Sequence, residues 1–343
     1  MKKFLLVFSI LFCILIVSGC GKKDDVKEKD DSKEENKIEE VINKKNKEKL
    51  NIVDVDSNSR PYAIMINNLS VARPYQSGLQ DAYIVYEMIV EGGITRLMAI
   101  YKDQVLSRVG PVRSARHYFL DYALENDAIY VHFGWSPQAE SDISKLGVNN
   151  INGLYDEFYW REDLPIAYEH TAFASTEKIG KVVKSKKYRE NTNKDLLLKY
   201  SVEEIDLSDK EDSKEANSID VKYSSSSITN YVYNKNEKLY YRSVNDKPHT
   251  DYVTKKQNTA KNIIIAYVSN SAIPNDTKGR QNLNDIGTGN GYYITNGYAL
   301  PITWSKSSRS EQTVYKYKNG EEIIVNDGNT YIQIAPIDSA TIK

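Results

Sequence analysis

The stretch DAYIVYEMIVEGGITRLMAIYK, residues 81–102, decides the fold, because it places two strongly apolar runs on either side of a glycine pair. Apolar runs bounded by turn residues are typical of paired strands. We therefore predict an antiparallel hairpin with a two-residue turn at glycines 92–93. This turn would place Glu87 and Glu91 on the same sheet face as Arg96, within reach of its guanidinium group.

Strands and helices alternate on both sides of this hairpin. Residues 61–67 (PYAIMIN) and 128–134 (AIYVHFG) have the pattern of buried strands, whereas residues 136–147 and 175–189 begin with a serine cap and continue with helical periodicity. Mixed elements at this spacing indicate an α/β or α+β sandwich domain over residues 56–200.

The pattern becomes β-rich in the last third of the chain. Asn-Gly pairs at 296–297 and 319–320 lie between alternating strands, which is the strongest short signal of a hairpin. Residues 201–218 are acidic and resemble a linker. We predict the fold class α+β, with an N-terminal mixed α/β sandwich domain followed, over residues 219–343, by a mostly antiparallel β-sheet domain.

The first twenty residues, MKKFLLVFSILFCILIVSGC, have the layout of an export signal, with two lysines, an apolar run and small residues before a cysteine. The apolar run, at about 14 residues, is short for a membrane span. The ending VSGC resembles the lipobox of bacterial lipoproteins, which predicts a signal peptide over residues 1–20 and a lipid on Cys20. An ordinary secreted protein cleaved near Gly19, or a short signal anchor, is the alternative.

The residues that follow predict a charged tether. Residues 21–50 contain ten lysines and ten acidic residues, a composition that cannot bury enough apolar surface to fold. We therefore expect a disordered tether over residues 21–55. The folded part would lie at the outer face of the cytoplasmic membrane, attached to the lipid bilayer through Cys20.

Charge and histidine spacing exclude several classes of function. The formal net charge is −1, whereas a nucleic-acid-binding protein normally carries a clearly basic domain. The four histidines, at positions 117, 132, 170 and 249, are too far apart in sequence to indicate a metal site. We expect no nucleic acid, no metal and no cofactor.

Arginine use changes sharply within the first predicted domain. Of the 46 lysine and arginine residues, 11 are arginine and therefore 35 are lysine, yet six arginines and one lysine lie within residues 60–116. A guanidinium group suits bidentate pairing, partial burial or stacking on a ring better than an ammonium group does. These arginines therefore mark places where the chemistry of the side chain matters.

Residues 108–119, RVGPVRSARHYF, concentrate this preference. A Gly-Pro turn is followed by Ser114, which can cap a helix and would place Arg113 and Arg116 at its positive end, where anions are favoured. Residues spaced by four along that helix would form a polar stripe: Arg113, His117 and Asp121. The predicted anion-binding residues are Arg96, Arg113, Ser114, Arg116 and His117.

Other interpretations of these side chains stay open. The arginines can form internal ion pairs, or the site can belong to an envelope hydrolase that acts on a glycan or a peptide. The candidate acids, bases or ion-pair partners are Glu87, Glu91, Asp121 and His132. Neighbouring arginines keep carboxylates ionised, which suits ion pairing better than proton donation. A scaffold for an envelope enzyme is a third interpretation, since tyrosine outnumbers phenylalanine by 26 to 7 and suits contact surfaces.

The chain resembles the YerB-like bacterial lipoproteins in a series of motifs that occur in order after residue 60: RPYAIMINN, EGGITRLMAIY, GPVRSARHYFLDYA, GTGNGYYITNGYALPITW and DGNTYIQIAP. This resemblance implies export, lipidation, two successive domains of unknown function and an extracytoplasmic location in a Gram-positive type of bacterium. The family pattern falls on Glu87, Glu91, Gly92, Gly93, Thr95, Arg96, Gly110, Pro111, Arg113, Ser114, Arg116 and Asp121. The resemblance implies no reaction.

The sequence therefore predicts a membrane-anchored binding module. Its arginine-rich corner would hold an anionic group of an envelope polymer or of a protein partner. A hydrolase and a scaffold remain the alternatives.

Overall fold

The computed structural model describes residues 50–343. The predicted signal peptide, its lipidation site Cys20 and the predicted tether up to residue 49 lie outside the described residues. The prediction of a disordered tether is wrong for residues 50–55, because Val53 is 3% exposed and belongs to the buried core. No helix within residues 50–343 combines the length and the apolar character needed to cross a bilayer.

The described chain is built mainly from strands, which in chain order are β1 (Tyr62–Asn67), β2 (Ile84–Ile89), β3 (Thr95–Tyr101), β4 (Ile129–His132), β5 (Asn150–Asn152), β6 (Tyr159–Arg161), β7 (Ala172–Ala174), β8 (Lys199–Ser201), β9 (Lys214–Glu215), β10 (Ser218–Lys222), β11 (Ile228–Asn234), β12 (Leu239–Val244), β13 (Lys247–Pro248), β14 (Thr259–Ala260), β15 (Asn262–Tyr267), β16 (Asn270–Ala272), β17 (Gln281–Leu283), β18 (Gly287–Thr295), β19 (Tyr298–Lys306), β20 (Val314–Tyr317), β21 (Ile324–Asn326), β22 (Thr330–Ala335) and β23 (Ala340–Ile342). The α-helices are α1 (Phe119–Glu125), α2 (Pro137–Lys145) and α3 (Thr176–Ser185). Short 3₁₀ turns cover Arg73–Tyr75, Leu79–Asp81, Glu91–Gly93 and Tyr168–His170.

One mixed sheet forms the centre of the molecule. Its strand order is β20-β19-β18-β15-β22-β2-β3-β1-β4-β5, and β9 pairs with β19. The pairings make β15, β22, β2, β1, β4 and β5 run in the same direction, with β3 antiparallel between β2 and β1. A second, antiparallel sheet has the order β13-β12-β11-β10-β23, with β14 beside β12. The predicted α+β class is confirmed.

The two segments predicted as separate domains share the central sheet. Strand β2 of the first segment pairs in parallel with β22 of the second, with Ile84 opposite Thr330, and the described residues form one compact unit. The predicted linker at 201–218 is also part of this unit, because Leu207 and Ala216 are fully buried and β9 pairs with β19. Its charged residues remain at the surface, which explains the linker-like composition.

Both faces of the central sheet are covered. On one face, Met65 and Met98 belong to the same buried cluster as Phe119 of α1. On the other face, the buried cluster joins the sheet to α3, through Ile179, and to the second sheet, through Ile219. A sheet buried on both faces needs apolar side chains in both directions, as the runs in residues 81–102 provide.

Local sequence signals located several elements correctly. Ser136 and Ser175 cap α2 and α3 as predicted, and each hydroxyl accepts a backbone N–H at 3.2 Å. The first Asn-Gly pair turns β18 into β19. The second pair also makes a turn, in which the Tyr317 N–H donates to the Glu321 carbonyl at 2.9 Å. The chain after this turn does not form a strand beside β20, and its next strand, β21, pairs with β8.

Candidate functional site

The candidate site lies along the side of the central sheet at which the six parallel strands reach their carboxyl ends. Strands β2, β1, β4 and β5 finish there at Ile89, Asn67, His132 and Asn152. In open sheets with parallel strands, ligands bind outside the carboxyl ends of the strands. We refer to this side of the sheet as the carboxyl edge.

The β2–β3 hairpin brings different residues together from those predicted. Its loop has three residues, Glu91–Gly93, and both glycines have positive φ, so that Met88 lies opposite Arg96 and Glu87 lies opposite Leu97. A shift of one residue moves every side chain to the other face. The predicted pairing of Glu87 with Arg96 is therefore wrong, because the two side chains lie on opposite faces of the sheet.

Glu91 is the acid that Arg96 contacts. Arg116 donates from Nε to Glu91 Oε2 at 2.8 Å and from Nη2 to Glu91 Oε1, and Arg96 Nη2 approaches the same Oε1 at 3.3 Å. Burial alone would raise the pKa of the Glu91 carboxyl, but the hydrogen bonds from Arg116 and the two positive charges lower this pKa to about 2. Glu91 is thus ionised at neutral pH and does not suit general-acid catalysis.

Glu87 belongs to a buried ion pair between the two sheets. Its Oε2 accepts from Arg242 Nη2 at 2.8 Å, and both side chains are 0% exposed. Thr95 and Thr229 donate to its Oε1 at 2.7 and 2.9 Å. A carboxylate enclosed in this way has a structural role and is inaccessible to a substrate.

The segment before α1 does not form the predicted helical anion site. Helix α1 begins only at Phe119, and no side chain caps it. Residues 112–115 instead make bridges to the ends of β1 and β4, with the Arg113 N–H donating to the Met65 carbonyl at 2.9 Å and the Ala115 N–H to the Gly134 carbonyl at 2.9 Å. Ser114 is therefore no helix cap, and these long-range contacts displace the helix start by about one turn.

Arg113 remains the most accessible of the predicted arginines. Its Nη2 donates to Glu169 Oε1 at 2.8 Å, and the two side chains are 24% and 61% exposed. The neighbouring His170 is buried, and its Nδ1 lies 2.9 Å from the Asn67 amide nitrogen at the end of β1. Arg113 thus lies at the solvent side of the carboxyl edge.

Asp121 and His117 lie in a separate polar group. Asp121 accepts from Arg309 Nε at 2.7 Å, and Arg309 also donates to the His117 carbonyl at 2.9 Å. Burial raises the pKa of the Asp121 carboxyl, and the negative charge of Asp285 adds to the rise. Burial also lowers the pKa of the His117 ring. The predicted stripe with Arg113 does not form, because only Asp121 of its three residues belongs to the helix.

His132 is enclosed at the end of β4. Its side chain is fully buried, and its ring nitrogens lie 2.8 Å from the Gly134 carbonyl and 3.1 Å from Asn150 Oδ1. Burial lowers the pKa of the ring to about 4. A neutral imidazole carries one N–H and can donate to only one of these two oxygens, and the enclosed ring is a structural group at neutral pH.

Exposed rings lie on the loops beside the arginines. Trp135, which follows β4, lies 5.8 Å from the ring of Tyr155, which follows β5. Arg161 stacks 3.9 Å above the ring of Tyr168, and Tyr155 and Tyr168 are 72% and 73% exposed. We call Trp135, Tyr155 and Tyr168 the aromatic rim.

Two models of known protein families match successive segments of the chain. A model of the "Protein of unknown function (DUF3048) N-terminal domain" matches residues 50–189, and a model of the corresponding C-terminal domain matches residues 219–332. The chain belongs to the DUF3048 family. The "Putative lipoprotein YerB" of Bacillus subtilis (strain 168) is 32% identical over 349 residues, which cover 100% of this chain and 98% of that protein.

A solved structure of the DUF3048 relative extends the agreement to the fold. The crystal structure of YerB protein from Bacillus subtilis matches with a TM-score of 0.74 and 31% identity, over 86% of this chain and 99% of that chain. The resemblance to YerB-like lipoproteins is thereby confirmed.

The structure of this chain brings only part of the predicted site together. Arg96 and Arg116 share Glu91, while Ser114 contributes its backbone carbonyl to Arg96 at 2.6 Å. Three residues that pair with predicted site residues were not predicted from the sequence: Glu169, Arg242 and Arg309. The burial of Arg242 could have been predicted from the sequence, because it occupies an inward position of an alternating strand, between the buried Tyr240 and Val244.

Proposed function

We propose that this chain is a lipid-anchored, extracytoplasmic binding module that holds a negatively charged envelope polymer at the carboxyl edge. The anchor is the lipid on Cys20, and the protein lies at the outer face of the cytoplasmic membrane. The VSGC ending and the name of the Bacillus subtilis relative support this location.

The charge balance at the carboxyl edge carries the proposal. Three guanidinium groups, those of Arg96, Arg113 and Arg116, share two carboxylates, those of Glu91 and Glu169. Burial lowers the pKa of Arg96 to about 10, and the positive charges of Arg116 and Arg113 contribute to this decrease. The three guanidinium groups therefore repel one another electrostatically, and an added anion would relieve this repulsion.

The aromatic rim favours a sugar polymer as the anion's carrier. Flat rings offer apolar surface to the faces of sugars and polar edges to their hydroxyl groups, while the guanidinium fork matches a carboxylate or phosphate group. Because Tyr155 and Tyr168 are mostly exposed, the rim is open to a chain-like ligand. A protein partner, the other predicted ligand, would be an outcome of the same test.

The hydrolase interpretation has less support from the candidate acids and bases. Glu87 and His132 are fully buried, and Glu91 is held ionised between two arginines. Asp121 is 3% exposed and paired with Arg309. None of these four groups offers the accessible, protonated acid that glycoside cleavage needs.

The proposal predicts that Arg113→Ala weakens polymer binding. We expect purified full-length protein to bind a phosphodiester- or uronate-containing wall polymer, and Arg113→Ala to lose about tenfold in affinity, since a hydrogen bond to a charged group contributes about 1.5–3 kcal/mol. Isothermal titration at two salt concentrations measures this loss, and wild-type affinity should fall as salt rises.

Arg189 provides a matched control. Its side chain is 37% exposed and paired with Asp127, as Arg113 is 24% exposed and paired with Glu169, but Asp127 lies before the start of β4, at the opposite end of the parallel strands. Arg189→Ala should leave the affinity unchanged. An equal loss in both variants, or no loss in Arg113→Ala, would contradict the proposal.

A further inference from the structure

The Arg96 and Arg116 guanidinium groups are held in place by contacts that do not involve Glu91. Arg96 Nη1 donates to the Ser114 carbonyl at 2.6 Å, and Arg116 Nη1 donates to the Ala115 carbonyl at 2.7 Å. The two side chains are only 5% and 10% exposed. If the Glu91 side chain left, both groups would keep their positions.

Glu91 itself has room to leave. Its side chain is 26% exposed, and a Cβ atom at the next residue, Gly92, would meet no atom beyond its chain neighbours within 4 Å. The backbone of the loop is fixed on both sides, because the Val90 N–H donates to the Ile94 carbonyl at 2.8 Å and Ser224 Oγ donates to the Gly93 carbonyl at 2.6 Å. A rotation of the Glu91 side chain into solvent would therefore free the site without moving the loop.

The charges also favour a replaceable anion. One carboxylate, with a single negative charge, contacts two guanidinium groups, and Arg116 already binds this carboxylate through both oxygens. This is the geometry in which an arginine recognises any carboxylate, whether it belongs to the protein or to a ligand.

We propose that Arg96 and Arg116 form a preassembled binding site for a carboxylate group, which Glu91 fills as an internal ligand until a carboxylate of the bound polymer displaces it. Only one part of this inference rests on the proposed function, namely that the displacing carboxylate belongs to the polymer. The site itself can be tested with a small carboxylate.

The test is chemical rescue of Glu91→Ala with acetate. We expect the variant to melt several degrees below the wild type, because two buried guanidinium groups lose their carboxylate. Sodium acetate at ten times its dissociation constant should raise the melting temperature by about 2–4 °C, saturably, relative to sodium chloride at equal ionic strength. The wild type should not respond, since Glu91 fills its site.

Glu162→Ala is the matched control. The Glu162 side chain is 24% exposed and accepts from Nε and Nη2 of Arg108 at 2.8 and 2.9 Å, so its loss frees one guanidinium group where the loss of Glu91 frees two. Rescue should be weaker in this control. Equal rescue of both variants, or no rescue of Glu91→Ala, would overturn the inference. Stronger rescue by inorganic phosphate would overturn the assignment to a carboxylate.

Two further measurements keep the interpretations separate. Glu91→Ser also vacates the carboxylate site, and its rescue is judged by the same criteria if Glu91→Ala does not fold. With a uronate-containing polymer, Glu91→Ala should bind at least tenfold more tightly than the wild type. Acetate rescue without polymer binding by any variant would support the carboxylate site while contradicting the proposed function.

Discussion

Replacing Arg242 with methionine is expected to lower the free energy of unfolding by about 3–5 kcal/mol. The change leaves the Glu87 carboxylate without a counter-ion between the two sheets, where both side chains are 0% exposed. Hydrogen bonds from Thr95 and Thr229 remain but do not neutralise the charge. Urea unfolding at pH 7 measures the loss.

Two further variants distinguish the ion pair from a general effect of removing an arginine. Arg189→Met removes a pair with Asp127 in which the arginine is 37% exposed, and should cost at most about 1 kcal/mol. Glu87→Gln combined with Arg242→Met should cost less than the sum of the two single changes, by about 0.5–3 kcal/mol. A loss for Arg242→Met as small as that for Arg189→Met would show that Glu87 is not confined as described.

Separating the two sequence segments is expected to abolish folding of both. Strand β22 lies between β15 and β2, so a fragment of residues 219–343 would expose the unpaired edge of a strand that is buried throughout. Such an edge is prone to aggregation. Circular dichroism and gel filtration of fragments 50–218 and 219–343, produced alone and together, measure the effect.

Co-production should restore a soluble complex, because the fragments would complete the central sheet. Independent folding of either fragment, with a cooperative unfolding transition of its own, would contradict the shared core. It would instead support the two separate domains that the composition indicated.

The sequence predicted the elements that depend on neighbouring residues. Helices α2 and α3 follow serine caps, and the Asn-Gly turn between β18 and β19 needs only the two residues that adopt positive φ. Periodicity and caps act within a few residues of the chain, and their outcome can be predicted from the local sequence.

The arrangement of the site was harder to predict, since it depends on contacts distant in sequence. One additional residue in the β2–β3 loop changed which face carries Glu87. Pairing of residues 112–115 with the ends of β1 and β4 removed the expected start of α1. Arginine use singled out Arg113 and Arg116 as candidates. Glu169 was identified as a partner of Arg113 only when the fold joined segments 56 residues apart.

The most direct test of polymer binding is photocrosslinking in living cells at the aromatic rim. A diazirine-bearing residue in place of Tyr155, in the full-length lipidated protein, should capture an anionic wall polymer. The same residue in place of Val105 should capture none, since Val105 is 93% exposed but follows β3 at the opposite edge of the sheet. Polymer captured equally at both positions, or only protein captured at position 155, would contradict the account.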